Sequence, residues 1–134
     1  FSCKSTAWKL KKIYVRKNPS LSIFHQNIDR VCNKIDGLNT LLNSLKPDIV
    51  ILTEHGQKQE TMNNTRLIGY LLITAYCRKA HIKGGVAIYV KAELESRVEV
   101  IDTQHRCVKM LCGVATMKIK LGKSFLFITG VYRT

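Results

Sequence analysis

Asp48-Ile49-Val50-Ile51-Leu52-Thr53-Glu54-His55 is a continuous apolar run closed by a hydroxyl, a carboxylate and an imidazole. Strands covered on both faces are written as unbroken Val/Ile/Leu runs, and in open α/β folds the ligand site lies beyond the strand C-termini. Glu54 is therefore expected at a strand end where chemistry is done. A second segment, Leu21-Ser22-Ile23-Phe24-His25-Gln26-Asn27, alternates into a polar tip of its own. Between the two, Val31, Ile35, Leu38, Leu42 and Leu45 recur at helical spacing and predict one buried stripe. Asp29 is the expected N-cap, Pro47 the stop, and Gly37 costs the helix about 1 kcal/mol relative to Ala. Strand, helix, strand is a βαβ unit. With parallel neighbouring strands and a right-handed crossover, Asn27 and Glu54 share one edge of the sheet.

The chain of 134 residues is 46% hydrophobic, the size and content of one ordinary domain. It carries 22 Lys and Arg against nine Asp and Glu, a net charge of +13. That excess favours polyanionic partners, nucleic acid foremost, and says nothing about fold. No apolar run approaches the length of a bilayer span and no apolar h-region follows the N-terminal lysines, so an intracellular, non-membrane protein is expected. Phe1 stands where a Met would start a chain, and Phe125 to Arg133 read as a strand in mid-course, so a fragment is expected.

Cys3, Cys32, Cys77, Cys107 and Cys112 are odd in number and scattered, the pattern of reduced thiols. His105, Cys107 and Cys112 lie in an alternating β pattern without zinc-ligand spacing, which disfavours a zinc site. Asn63-Asn64-Thr65 fits a glycosylation acceptor but has no secretory signal to make it one.

Residues 1–19 form a basic arm or linker with six Lys and Arg and no acid, closed by Pro19. Residues 55–66 are polar and aperiodic, a surface loop. Tyr70 to Tyr76 and Val86 to Val90 read as strands. Between them lies a basic loop whose Arg78, Lys79 and Lys83 suit phosphate contacts, and which as a charge run equally suits a solvated loop. Gly84-Gly85 lacks a following G-K-[ST] and a helix, so it is a tight turn into the strand rather than a phosphate loop. Residues 97–101 form another β-like piece. Val108 to Leu121 and Ser124 to Tyr132, joined through Gly122-Lys123, predict a hairpin.

Glu54 is the leading chemical candidate, because a rigidly held carboxylate is the oxygen ligand a hard cation requires. Its plain alternative is a solvated strand-end Glu. Asn27 could orient a phosphate or serve the metal's hydration shell, or be an ordinary turn residue. His25 and His55 flank these positions, where a single His is more often structural. No G-x-S-x-G element supports a serine hydrolase.

The series His25-Gln26-Asn27-Ile28, Lys34-Ile35-Asp36, Lys46-Pro47-Asp48-Ile49-Val50 with Leu52-Thr53-Glu54-His55, Gly84-Gly85-Val86-Ala87-Ile88-Tyr89-Val90 and Gly130-Val131-Tyr132-Arg133 resembles the endonuclease/exonuclease/phosphatase superfamily. Within it, residues 20–134 are most similar to the apurinic-endonuclease-like domain of non-LTR (LINE-type) retrotransposons. The resemblance implies an α/β fold, a four-layer α/β sandwich of which this chain is the incomplete N-terminal part. It implies Mg²⁺, or Mn²⁺, at a site served by Asn27 and Glu54, with Tyr132 positioning the scissile phosphate. It implies DNA as substrate, a reverse transcriptase domain in the full-length element, and nuclear action. The family's later G-D-F-N motif and Asp-His pair have no counterpart in this sequence, so the chain is expected to cleave poorly or not at all alone. A host phosphodiesterase or abasic-site endonuclease of the same fold, and a non-catalytic nucleic-acid-binding remnant, are the alternatives.

Overall fold

A computed structural model of the chain describes residues 9–14, 20–29, 31, 34–62, 65–77, 84–102 and 112–133. Within these the chain forms eight strands: β1 (Lys9–Tyr14), β2 (Ser20–Asn27), β3 (Ile49–Thr53), β4 (Tyr70–Tyr76), β5 (Val86–Lys91), β6 (Val98–Ile101), β7 (Cys112–Leu121) and β8 (Ser124–Arg133). Two helices, α1 (Ile35–Leu45) and α2 (Gln59–Met62), and a 3₁₀ turn over Ala92–Arg97 complete it. The first five strands make one mixed sheet in the order β1-β2-β3-β5-β4, and the last three make an antiparallel sheet in the order β6-β7-β8.

Strand β3 explains the architecture. All five of its residues are buried, because Ile49 and Ile51 face the second sheet while Val50 and Leu52 face α1. Strand β5 repeats the pattern, with Val86, Ile88 and Val90 on one side and Ala87 and Tyr89 on the other. The inter-sheet core is closed from the second sheet by Ala115, Met117, Ile119 and Ile128. The described residues thus stack as helix, sheet, sheet. Strand β8 lies over β3 and β5, and β7 over β5 and β4.

β2 and β3 are parallel, in register from Ile23 opposite Ile49 to Asn27 opposite Thr53. Asp48 locks that register from below: its carboxylate accepts from the Ser22 amide at 2.8 Å and hydroxyl at 3.2 Å, and pairs with Lys91 at 3.3 Å. The same carboxylate and burial push the Tyr70 hydroxyl up to about 12, burial being the larger cause. Part of the basic arm, Lys9–Tyr14, forms β1 and pairs antiparallel with β2.

The helix starts later than Asp29. Ile28 donates its amide to Thr53 O at 3.0 Å and Val31 donates to His55 O at 2.9 Å, which pins residues 28–31 against the end of β3. Asp29 has φ +44, and α1 begins only after Lys34, whose ammonium bonds the Ile28 and Asp29 carbonyls. At its other end Lys46 takes the left-handed conformation, donates to Leu42 O and hands over to Pro47. The 55–66 segment is not wholly a surface loop either. It holds α2, and Met62 and Thr65 are buried beneath it. In the β7–β8 hairpin only Gly122 of the two turn residues has positive φ, the pattern of a type II′ turn.

Candidate metal and phosphate site

Four strands meet at one end of the first sheet. Asn27 pairs with Thr53, Thr53 with Val86, and Val86 with Tyr76, so the ends of β2, β3 and β4 and the start of β5 lie in one row. Glu54 follows immediately, with φ +55, a left-handed backbone that a residue bearing a Cβ seldom adopts. Its amide donates to Gly85 O at 2.8 Å and the Gly56 amide donates to Gly84 O at 3.0 Å, so β5's approach fixes both sides of the turn. Strain of this kind persists only where the surroundings over-determine it, and it clusters at functional sites. The Glu54 side chain is half-buried, and among the described residues it makes no hydrogen bond or ion pair.

His55 is the clamp beneath it. The ring is fully buried, with Nε2 3.0 Å from Tyr76 O and Nδ1 accepting from the Gln57 amide at 3.0 Å. Those two bonds assign the neutral tautomer with the proton on Nε2. Burial holds its pKa below the ordinary value, outweighing the backbone bonds that raise it. Gly85 makes room for this ring: at φ +94, a Cβ there would fall 2.6 Å from His55 Cε1 and 2.7 Å from Tyr76 O. The paired glycines thus serve a close approach as well as a turn.

Asn27 is exposed, on the face of β2 that carries Ile23 and His25. An open cleft of about 360 Å³ runs along this face, lined by Ile23, His25, Ile51 and Thr53 from the first sheet and Thr129, Gly130 and Val131 from β8. β8 approaches closely because Gly130 has no side chain; a Cβ would meet Val86 at 2.5 Å. Tyr132, 8% exposed, lies two residues further along β8 and opposite Gly113, where a Cβ would meet the Tyr76 ring. It therefore stands at the same end of the sandwich as Asn27 and Glu54. Arg78, Lys79 and Lys83, and the disfavoured zinc candidates His105 and Cys107, lie outside the described residues.

Sequence reasoning missed Thr53 and Thr129 as lining groups and the clamp role of His55. The alternation of β3 carried the signal for Thr53, since it shares the inward face of Ile49 and Ile51. No group of three or more His, Cys, Asp or Glu that could hold a metal occurs among the described residues. Glu54 and Asn27 nonetheless fit Mg²⁺, which takes one or two carboxylates and keeps several waters. A half-buried carboxylate with no partner among the described residues, one position beyond the Thr53 that pairs with Asn27, offers such a ligand.

No protein-family model matches the sequence, and no curated protein matches it. Solved structures do match. The crystal structure of D. rerio TDP2 complexed with single-strand DNA product aligns with a TM-score of 0.57 at 18% identity, covering 83% of this chain and 45% of that one. D. rerio TDP2 humanized by 14 mutations aligns with a TM-score of 0.56 at 18% identity, covering 83% of this chain and 49% of that one. The chain therefore spans about half the length of the structures it matches. At that identity the likeness is one of fold, and it supports an endonuclease/exonuclease/phosphatase-like fold for this chain.

Proposed function

We propose that this chain belongs to a divalent-metal-dependent phosphodiester hydrolase, the DNA-nicking endonuclease domain of a non-LTR retrotransposon. One observation carries the chemistry: Glu54, strained and without a partner among the described residues, follows the Thr53 that pairs with Asn27 at the end of the sandwich. The ordered series of motifs from His25-Gln26-Asn27 to Gly130-Val131-Tyr132 supports the retroelement assignment. The net charge of +13 suits a polyanionic substrate, and a fold relative was solved with single-strand DNA.

In this reading Glu54 and Asn27 hold Mg²⁺, or Mn²⁺, which when bound stabilises charge on the scissile phosphate. The Asn27 amide donates to a phosphate oxygen, and Tyr132 orients that phosphate from β8. Thr53 lies along the cleft. The four-layer sandwich belongs to the same proposal, with a further helical layer over the second sheet.

Activation of the attacking water needs a base, which the resemblance assigns to the G-D-F-N motif that has no counterpart in this sequence. The 134-residue chain is therefore expected to nick supercoiled plasmid in Mg²⁺ no faster than its Glu54→Ala variant. Joined to downstream coding sequence carrying G-D-F-N and Asp-His motifs and a reverse transcriptase, it is expected to nick in a Glu54-dependent way. Robust Glu54-dependent nicking by the chain alone overturns the need for a second half, and Glu54-independent nicking by the longer protein overturns the site. A stop codon directly after Thr134 favours the non-catalytic nucleic-acid-binding remnant.

A further inference from the structure

The turn that carries Glu54 is tied down residue by residue, and the ties come from three separate parts of the chain. Towards β5, Glu54 donates its amide to Gly85 O at 2.8 Å and Gly56 donates to Gly84 O at 3.0 Å. Towards β4, the fully buried His55 ring engages both nitrogens: Nε2 donates to Tyr76 O at 3.0 Å, and Nδ1 accepts from the Gln57 amide at 3.0 Å. The third tie runs to the segment after β2. The His55 carbonyl accepts from Val31 at 2.9 Å, and Ile28, which directly follows Asn27, donates at 3.0 Å to the carbonyl of Thr53, which directly precedes Glu54. Asn27 and Glu54 are thereby joined through two short bridges, Ile28 to Thr53 and Val31 to His55. None of these bonds uses the Glu54 carboxylate.

We propose that His55 is the positioning residue of this site, setting its affinity for a divalent cation by fixing where Glu54 stands relative to Asn27. The proposal rests on the reading of Glu54 as a metal ligand. Mg²⁺ takes only one or two carboxylates from a protein and keeps several waters, so the placement of few protein groups decides how well it is held. Ligands already in place bind more tightly than ligands that must first be ordered, and groups that orient a ligand govern metal affinity without touching the metal. His55 orients Glu54 through the backbone. At φ +55 Glu54 relaxes to a commoner conformation once it is released, which changes the direction in which its side chain leaves the chain. Because the ring is already fully buried, this framework does not depend on what covers the outer faces of the two sheets.

The test is Mn²⁺ binding to the 134-residue chain, read from the loss of the free-ion electron paramagnetic resonance signal, with each variant shown to be folded by circular dichroism. Glu54→Ala is expected to abolish binding. His55→Ala is expected to weaken it by about 10- to 100-fold, the range for losing a group that orients a ligand. His55→Gln, which keeps both bonds, is expected to restore it, and Leu38→Ala, which destabilises the fold away from the site, to leave it unchanged. No binding by the parent, or equal binding by the parent and Glu54→Ala, overturns the metal reading and the proposal with it. Glu54-dependent binding that His55→Ala leaves unchanged overturns the positioning role alone. So does a loss in His55→Gln or Leu38→Ala as large as that in His55→Ala. If His55→Ala does not fold, His55→Asn, too short to reach Tyr76 O, carries the same expectation.

Discussion

Replacing Glu54 by glycine is expected to make the protein more stable than replacing it by alanine. Both substitutions remove the carboxylate, so the comparison isolates the backbone. At φ +55 a residue with a Cβ costs about 1–2 kcal/mol, while the wider freedom of glycine in the unfolded chain offsets about 0.5–1 kcal/mol of that relief. The net advantage of the Glu54→Gly variant over Glu54→Ala is about 1 kcal/mol. An unfolding entropy of about 2.1 cal/mol/K per residue, over 134 residues, converts it to a difference of about 3.5 °C in Tm. Thermal melts followed by circular dichroism, with urea midpoints at unchanged m-values, measure it. A Glu54→Gly variant melting at or below Glu54→Ala would show that the turn relaxes once the carboxylate is gone, and the strain argument would fail.

His55 sets a pH dependence: its folded pKa lies below the ordinary 6.5, so the unfolded chain binds a proton that the folded ring refuses. Stability from this group is whole above pH 6.5 and falls as the pH drops towards the folded value, by up to about 1.4 kcal/mol per pH unit; in His55→Gln, which keeps both bonds without titrating, that slope should flatten in urea titrations at stepped pH. Gly85→Ala combines a strained φ with overlap on His55 and Tyr76, and is expected to cost about 3 kcal/mol, read as a urea midpoint. Mg²⁺ at ten times its Kd should stabilise the parent by about 1.4 kcal/mol and leave Glu54→Ala unmoved at matched ionic strength; an equal shift in both would place the metal elsewhere. Leu38→Ala, from the buried stripe of α1, should cost about 2–5 kcal/mol in the same melts.

The elements that were legible in the sequence are those whose burial is written in their own residues. Ile49 to Leu52 are apolar on both faces because a sheet lies on one side and a helix on the other. The 121–124 turn follows from Gly122 alone. What could not be read depends on segments far apart in the chain. Asp29 looks like an N-cap, yet amide bonds to Thr53 and His55, more than 20 residues on, hold its neighbours out of the helix. His55 shows no local sign of complete burial, since its partners are a carbonyl from β4 and a space left by Gly85. Nor does glutamate announce a left-handed backbone, a conformation for which Gly and Asn are the usual signals. Asn27 and Glu54 could be paired in advance because the βαβ unit fixes strand ends, but Thr129 and Tyr132 joined them only through the packing of the two sheets.

The strand brings Glu54 to the edge of the sheet, but the strand does not aim it. A residue continuing β3 in extended geometry would send its side chain to the helix face, opposite to Thr53. Glu54 departs from that geometry at φ +55, where His55 is held under β5 by Tyr76 O while Gly84 and Gly85 accept the amides of Gly56 and Glu54. Each part requires the next: a side chain at Gly85 displaces His55, and a displaced His55 removes the constraint on Glu54. A buried neutral imidazole also leaves no positive charge beside the carboxylate.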